Sequence, residues 1–443
     1  MRISQGDHPP RTALPSMRER DVMSDELRPI DAAASAASQK LDWRLTLPIF
    51  IIVSLDAASS GAILPILPFY LRTLGASPLV LGLVLGAEAL SQFVAAPWLG
   101  QLSDRYGRKR VLLASQAGAL ISLLLLALAN SVVFVLLARV LLGLTAANFS
   151  AAAAYAADNS SPTTRRQAIG ILSAGLGLGG MIGPSLSGYL ADISLTAPIW
   201  VALALSATSM LVTGLWLKGG DARSRCGRDS EADETVDEKV SFRTLLASPV
   251  IRVLVAALLC HYFSYGMFSS QLAVFLADTF TWNEHAFGPK ELGYLLTADG
   301  AINVLVQLFL LKWLGSSFSE RGLIVLVFII LSIGYVTAGL ATDIATLAFA
   351  VLCISTGVAL ARPTFVAALS VHVPQQRQGI VMGATQSLVA VTDIVTPVLA
   401  GVILGQSLYG AWIGAVVAIA LAGAAIARSR LPAIDPETSA AGG

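Results

Sequence analysis

The sequence predicts an all-α membrane protein, with twelve transmembrane helices in two pseudo-symmetric six-helix bundles. Three observations lead there. The 443 residues are 55% hydrophobic and only 13% charged, with a mean hydropathy of +0.72, whereas a soluble domain carries about 25% charged residues. Twelve stretches reach the roughly 20 apolar residues that a helix needs to cross a bilayer, six before and six after the charged segment from Lys218 to Arg243. Residues also recur between the two halves at nearly constant offsets, as expected of a chain built by duplication.

The first 44 residues are polar, rich in Pro, Ala and Ser, and end in the basic residues Lys40 and Arg44. They contain no cleavable signal peptide and read as a disordered cytoplasmic tail, with Met17 and Met23 as further candidate starts. The N-terminal bundle, 45–217, holds spans at 46–72, 78–102, 110–129, 131–156, 167–192 and 196–217. A cytoplasmic linker, 218–247, follows. The C-terminal bundle, 248–430, holds spans at 248–278, 290–313, 322–341, 343–371, 379–405 and 409–428, and a tail, 431–443, closes the chain. Of the 29 Lys and Arg, Arg139 and Arg362 lie inside spans and only Arg72 and Lys290 in the odd-numbered loops. The rest fall in the tails and even-numbered loops, which places both termini in the cytoplasm.

The repeats pair equivalent spans. Gly170, Pro184 and Gly188 in the fifth recur as Gly383, Pro397 and Gly401 in the eleventh, shifted by 213. Asp56 and Gly61 in the first recur as His261 and Gly266 in the seventh, shifted by 205. Leu81, Gly82 and Glu88 in the second recur as Leu292, Gly293 and Asp299 in the eighth, shifted by 211.

Seven ionisable residues interrupt the apolar spans: Asp56, Glu88, Arg139, His261, Asp299, Arg362 and Asp393. The six other than His261, ionised and unpaired, would cost on the order of 18 kcal/mol at about 3 kcal/mol each. Pairing, neutrality or a wet cavity makes them tolerable. At 1.5 Å per residue, Asp56, Glu88, His261, Asp299 and Asp393 gather near the midplane, with Arg139 nearer the outside and Arg362 nearer the cytoplasm. A carboxyl group drawn from water into an apolar cavity holds its proton more firmly, and releases it when the cavity turns to the other side or a cation arrives. On this reading Asp56 and Glu88, with Asp299 and His261, carry the proton, and Arg139 modulates a neighbouring acid by stabilising its charged form. The structural alternatives are a local hydrogen bond from Ser59 or Ser60 to Asp56, inter-helix glue for Glu88 and Asp299, a neutral packed imidazole for His261, and an Arg362–Asp393 salt bridge. Polar Gln271 and aromatic Tyr265 are candidates to face the same cavity.

Between the second and third spans lies "GQLSDRYGRKR", in which Gly100 and Gly107 permit close helix approach. There Asp104 can pair with the basic cluster of Arg105, Arg108, Lys109 and Arg110. The fourth span contains "ARVLLGLTAA", beginning just before Arg139. The fifth contains "GLGLGGMIGPSLSG", where Gly175, Gly179 and Gly183 share one helical face and Pro184 breaks the hydrogen-bond ladder.

In its spacing G-x-L-x-D-R-x-G-R-K, the loop resembles the signature loop of the major facilitator superfamily. The fourth-span motif is similar to R-x-x-x-G of proton-coupled members, and the fifth-span motif to the antiporter motif of drug:proton exporters. "LDAASSGAILPILPFYL" and "GVALARPTFVAALSVHVPQQRQG" resemble the tetracycline-exporter subgroup. The sequence departs from that pattern at Ser187, at the second-half loop "LKWLGSSFSERG", and at the charges of Glu88 and Arg362. The resemblance implies a bacterial inner-membrane transporter that works as a monomer by alternating access. It sets Asp56, Arg139, His261 and Arg362 on cavity-lining helices, together with Tyr265, Gln271 and Asp393 as substrate contacts. Gly100, Asp104, Arg105, Gly107, Arg108, Gly179, Gly183 and Pro184 would then serve conformational gating.

The expected function is export of a small amphipathic or cationic compound, a drug for instance, in exchange for protons. The alternative is proton-coupled transport of a metabolite or siderophore, for which Arg139 and Arg362 leave room. No phosphate-binding G-x-x-x-x-G-K-[ST] occurs, and the linker is too short for a nucleotide-binding domain, so neither an ATP-driven pump nor an enzyme is expected. Scattered basic residues argue against nucleic acid. Cys226, Cys260 and Cys353 have no metal-ligand spacing, and neither cofactor nor metal is expected.

Overall fold

The computed structural model describes residues 43–146, 148–158, 160–161, 164–217, 248–311, 313–314, 318–373 and 378–431. Among them, twelve helices are long and apolar enough to cross a membrane. These are α1 (Thr46–Thr73), α2 (Pro78–Tyr106), α3 (Arg108–Ala127), α4 (Val132–Asp158), α5 (Gln167–Ala191) and α6 (Ala197–Trp216). After the linker come α7 (Pro249–Thr279), α8 (Pro289–Leu310), α9 (Glu320–Leu340), α10 (Ile344–Val371), α11 (Gln378–Gly405) and α12 (Tyr409–Arg430). A small hairpin, β1 (Thr281–Trp282) with β2 (His285–Ala286), joins α7 to α8. The expected tails and the linker 218–247 lie almost wholly outside the described residues, although helical backbone already starts at Trp43.

Three spans are irregular for local reasons. In α1, Pro65 and Pro68 remove two backbone donors, and a turn at 64–66 separates Trp43–Ile63 from Leu67–Thr73. α4 breaks after Leu144, where the Thr145 hydroxyl donates back to the Leu141 carbonyl at 2.9 Å, a bond that bends helices. Ser115 on α3 then donates to the freed Thr145 carbonyl. α8 widens to a π-helical turn at Val306–Leu310.

Each bundle has its own apolar core. In the first, Ile52, Val53, Leu112 and Leu172 form one cluster and Ile63, Leu67, Val135 and Ile199 another. In the second, Phe268, Phe328, Tyr335 and Trp412 are fully or almost fully buried. Trp412 stacks on Phe268 at 5.6 Å between centroids, and its indole N–H donates to the Met267 carbonyl at 3.1 Å. Large apolar side chains such as Trp98, Leu215, Phe309 and Leu340 stay exposed on the outer faces, where lipid would meet them.

The repeats mark how the halves pack. Within each bundle, Gly61 of α1 meets Pro184 of α5, and its counterpart Gly266 of α7 meets Thr396 of α11. Between bundles, a Cβ built on Gly82 of α2 would lie 2.2 Å from the Pro397 carbonyl oxygen of α11. One built on Gly293 of α8 would lie 2.9 Å from the Pro184 carbonyl oxygen of α5. Only glycine permits such backbone contact. These two seams are related by the duplication, and both sit in the half of the molecule remote from the chain ends. We call that side the distal face and the other the terminal face.

Candidate functional site

In the first bundle, Asp56 of α1 turns toward α3 and α6. Its Oδ2 accepts a long 3.5 Å hydrogen bond from the Gln116 carboxamide, which also donates to Ser209 Oγ at 2.9 Å, with Asn148 nearby. Its Oδ1 is buried with no partner. The local serine bond considered from the sequence does not form at Ser59, whose hydroxyl donates instead to the Ala202 carbonyl at 2.9 Å, because helix periodicity turns Ser59 toward α6. Gln116, Ser209 and Asn148 were not among the candidate residues. The one amide in the third span was the available signal for Gln116.

Glu88 of α2 and Arg139 of α4 form an ion pair of 3.0 Å between Oε2 and Nη1. The Arg139 side chain is 5% exposed and Glu88 26%, while Nε and Nη2 of Arg139 are buried without a partner. Gly143, one turn along α4, lets that helix sit against the backbone of Glu88 and Gln92, which brings the two charges together. Each charge is compensated where it stands, which makes both bearable at membrane depth.

In the second bundle, His261 of α7 is buried, with Nδ1 unpartnered. Tyr265 stacks on its ring at 6.3 Å between centroids, and Tyr262 and Phe365 flank it. Asp299 of α8 accepts a 2.5 Å hydrogen bond from Ser355 of α10. Tyr265, Asp299 and Asp393 line a cavity of about 480 Å³ between α7, α8, α10 and α11, roofed by Leu67 of α1 and Leu81 of α2. Its walls are otherwise mostly aliphatic, and its volume falls in the range of ligand pockets. Asp299 and Asp393 are the two carboxylates in its lining.

The remaining candidates disperse. Asp56, Arg139, His261 and Arg362 do not line this cavity. Arg362 and Asp393 make no ion pair, although both charges reach Tyr262. Gln271 is fully buried in the distal seam rather than facing a cavity. Its amide donates to the Pro78 carbonyl at 3.0 Å and to the Pro397 carbonyl at 3.5 Å, since α7 meets both bundles there. Along α8, Gln307 donates to Asn303.

The gating set also divides. Gly179 and Gly183 press α5 against α1, with built Cβ atoms 2.3 and 2.5 Å from the Ser54 and Ala58 carbonyl oxygens. They therefore close the first bundle on itself rather than on the second, whereas Pro184 reaches the seam with α8. In the α2–α3 turn, Gly107 has φ +93°, a conformation open chiefly to glycine. Gly100 meets nothing within 4 Å, so the close approach expected there is absent from this conformation. Arg108 bridges Asp104 at 2.6 Å and Asp158 at the end of α4 at 3.2 Å, and Arg105 lies over the Tyr106 ring. These contacts stay inside the first bundle, and the Asp104 side chain is 67% exposed.

The bundles thus join on the distal side, while Gly100, Gly170, Gly379 and Gly383 of the terminal half face open space. Chemically, the arrangement offers carboxylates inside an apolar enclosure, able to hold either a proton or a cationic group.

Comparison with known proteins places this geometry. The Major Facilitator Superfamily profile matches residues 49–397 and 254–442. The class B tetracycline resistance protein of Escherichia coli is 31% identical over 369 residues, 82% of this chain and 90% of that protein. Multidrug resistance protein 2 of Bacillus subtilis (strain 168) is 26% identical over 365 residues, 79% and 86% respectively. Among solved structures, a bacterial homologue of the human lysosomal transporter Spinster, in an inward-facing and occupied conformation, superposes with a TM-score of 0.69. It shares 15% identity and covers 89% of this chain and 100% of its own.

Proposed function

The chain belongs to the major facilitator superfamily, and on that premise we propose that it exports a small amphipathic or cationic drug-like compound from the bacterial cytoplasm in exchange for protons. The observation that carries this reading is the largely aliphatic cavity of about 480 Å³ with Asp299 and Asp393 in its lining. The apolar walls suit a hydrophobic body and the carboxylates suit a positive charge. The names of the relatives, tetracycline and multidrug resistance proteins, support the same class of cargo.

Proton exchange follows from competition. A carboxylate that has taken a proton no longer attracts a cation, and one that holds a cation has released its proton. If the two bundles rock about this site, each passage carries one species outward and the other inward. Asp56 and Asp299, in the two halves, are the proton carriers in this reading, with Glu88–Arg139 and His261 as coupled groups. Of the two arginines that from sequence left room for an anionic cargo, Arg139 has its charge balanced by Glu88 and Arg362 stands outside the cavity lining, which favours a cationic cargo over the metabolite or siderophore alternative. The basic loops at the terminal face assign it to the cytoplasm, so this conformation is closed to the outside. The protein works as a monomer, each chain carrying its own cavity.

Proteoliposomes loaded with a pH-sensitive dye test the proposal. Adding ethidium or tetracycline to wild type should move protons across the membrane; Asp56→Asn should abolish that movement while binding of the compound persists, and Asp299→Asn should abolish it and also weaken binding of a cationic compound. Coupling unchanged in both variants would sink the assignment.

A further inference from the structure

Only two Lys or Arg, Arg72 and Lys290, stand in the odd-numbered loops. Each reaches across to the other bundle. Arg72 at the end of α1 pairs with Asp278 at the end of α7 at 2.8 Å, and the Tyr409 hydroxyl donates to the same carboxylate at 3.1 Å. Lys290 at the start of α8 pairs with Asp192, just beyond α5, at 2.5 Å. The pairs occupy two different seams, α1 with α7 and α5 with α8. The third seam, α2 with α11, is held by the Gly82–Pro397 contact and the Gln271 amide. Below Lys290, Ser185 and Thr297 add a hydroxyl contact of 2.7 Å across the α5–α8 seam.

We propose that Arg72–Asp278 and Lys290–Asp192 form a two-point electrostatic latch that holds the distal face shut, and that both pairs separate each time the transporter opens outward. This rests on the assignment of the distal face to the outside. The pairs are partly solvent-exposed, 59% and 21% for Arg72 and Asp278, 36% and 53% for Lys290 and Asp192. Each therefore biases the closed state only about two- to fivefold. That weakness suits a gate that must open in every cycle, since a deeply buried pair would resist separation. Because they join loops and helix ends at the rim, their loss leaves both bundle cores and the cavity intact. The orientation rule concentrates Lys and Arg in cytoplasmic loops, so the two cations kept at this face run against that bias, which a latch would justify.

The test uses the full chain in membrane vesicles with the native cysteines replaced by serine and a reporter introduced as Ala273→Cys, a buried seam position on α7. An impermeant thiol reagent is applied to right-side-out and inside-out vesicles. With the latch intact, labelling from outside is slow. Arg72→Ala with Lys290→Ala should accelerate it about tenfold, and the exchange Arg72→Asp with Asp278→Arg should return it toward the original rate. Raising salt from about 0.05 to 1 M should speed labelling of the intact protein and leave the double alanine variant unchanged, because screening removes what the variant already lacks. An outside labelling rate indifferent to the double substitution, or a charge exchange no slower than Arg72→Ala alone, would overturn the latch. Acceleration confined to inside-out vesicles would instead overturn the face assignment and leave the latch standing.

Discussion

At the scale of single residues, the pair Glu88–Arg139 carries the sharpest energetic consequence. Arg139 already buries two guanidinium nitrogens without partners, and among the described residues Glu88 is its one ion-pair partner. Breaking a buried pair by removing one partner costs about 3–5 kcal/mol, because an uncompensated charge remains. Glu88 is a quarter exposed, which favours the low end. Glu88→Gln should therefore lower the detergent-solubilised melting temperature by several degrees, and Glu88→Leu with Arg139→Leu should recover most of the loss. A single variant melting with the wild type would show that water or lipid already satisfies the arginine. Both residues were visible in sequence as charges in apolar spans. Their pairing was not, because it depends on how α4 rotates against α2 through Gly143. The depth of Asp56 was legible in its span but its partners were not, since Gln116 and Ser209 stand 60 and 153 positions away.

At the scale of elements, the glycine-rich face of α5 separates two kinds of glycine. Gly183 lies where a methyl group would meet the Ala58 carbonyl at 2.5 Å, while Gly177 has nothing within 4 Å. Gly183→Ala should force α5 from α1 at an overpacking cost of about 1–3 kcal/mol. Gly177→Ala should be neutral or stabilise by about 0.5–1 kcal/mol through backbone entropy. Thermal unfolding of the two variants side by side checks this, and equal shifts would contradict the packing. The one-face spacing was legible because helix periodicity fixes it. Which helix receives the face was not, and the receiver is α1 of the same bundle rather than a helix across the seam. The breaks in α1 and α4 divide likewise. Pro65 and Pro68 announce the first, whereas the second follows from the Thr145 back-bond and its Ser115 partner.

At the scale of the molecule, the two bundles meet through duplicated seams at the distal face and stand apart around Gly100, Gly170 and Gly383. In this state Asp104 bridges only to Arg108, one turn along its own segment, and is largely exposed. Such a pair contributes about 0.2–1 kcal/mol at most. Asp104→Asn should leave the melting temperature within about 1 °C of wild type and still slow closure of the terminal side, read as faster labelling of a reporter cysteine on that side during turnover. Unchanged labelling would remove the α2–α3 turn from the gating machinery. Composition, spacing and loop charge suffice for the twelve spans, the duplication and the superfamily, because insertion into lipid and helix periodicity are written in local sequence. Which charges pair, which carboxylates share a cavity and which seam is closed could be read from the assembled helices alone, because each depends on the relative rotation and tilt of helices far apart in the chain.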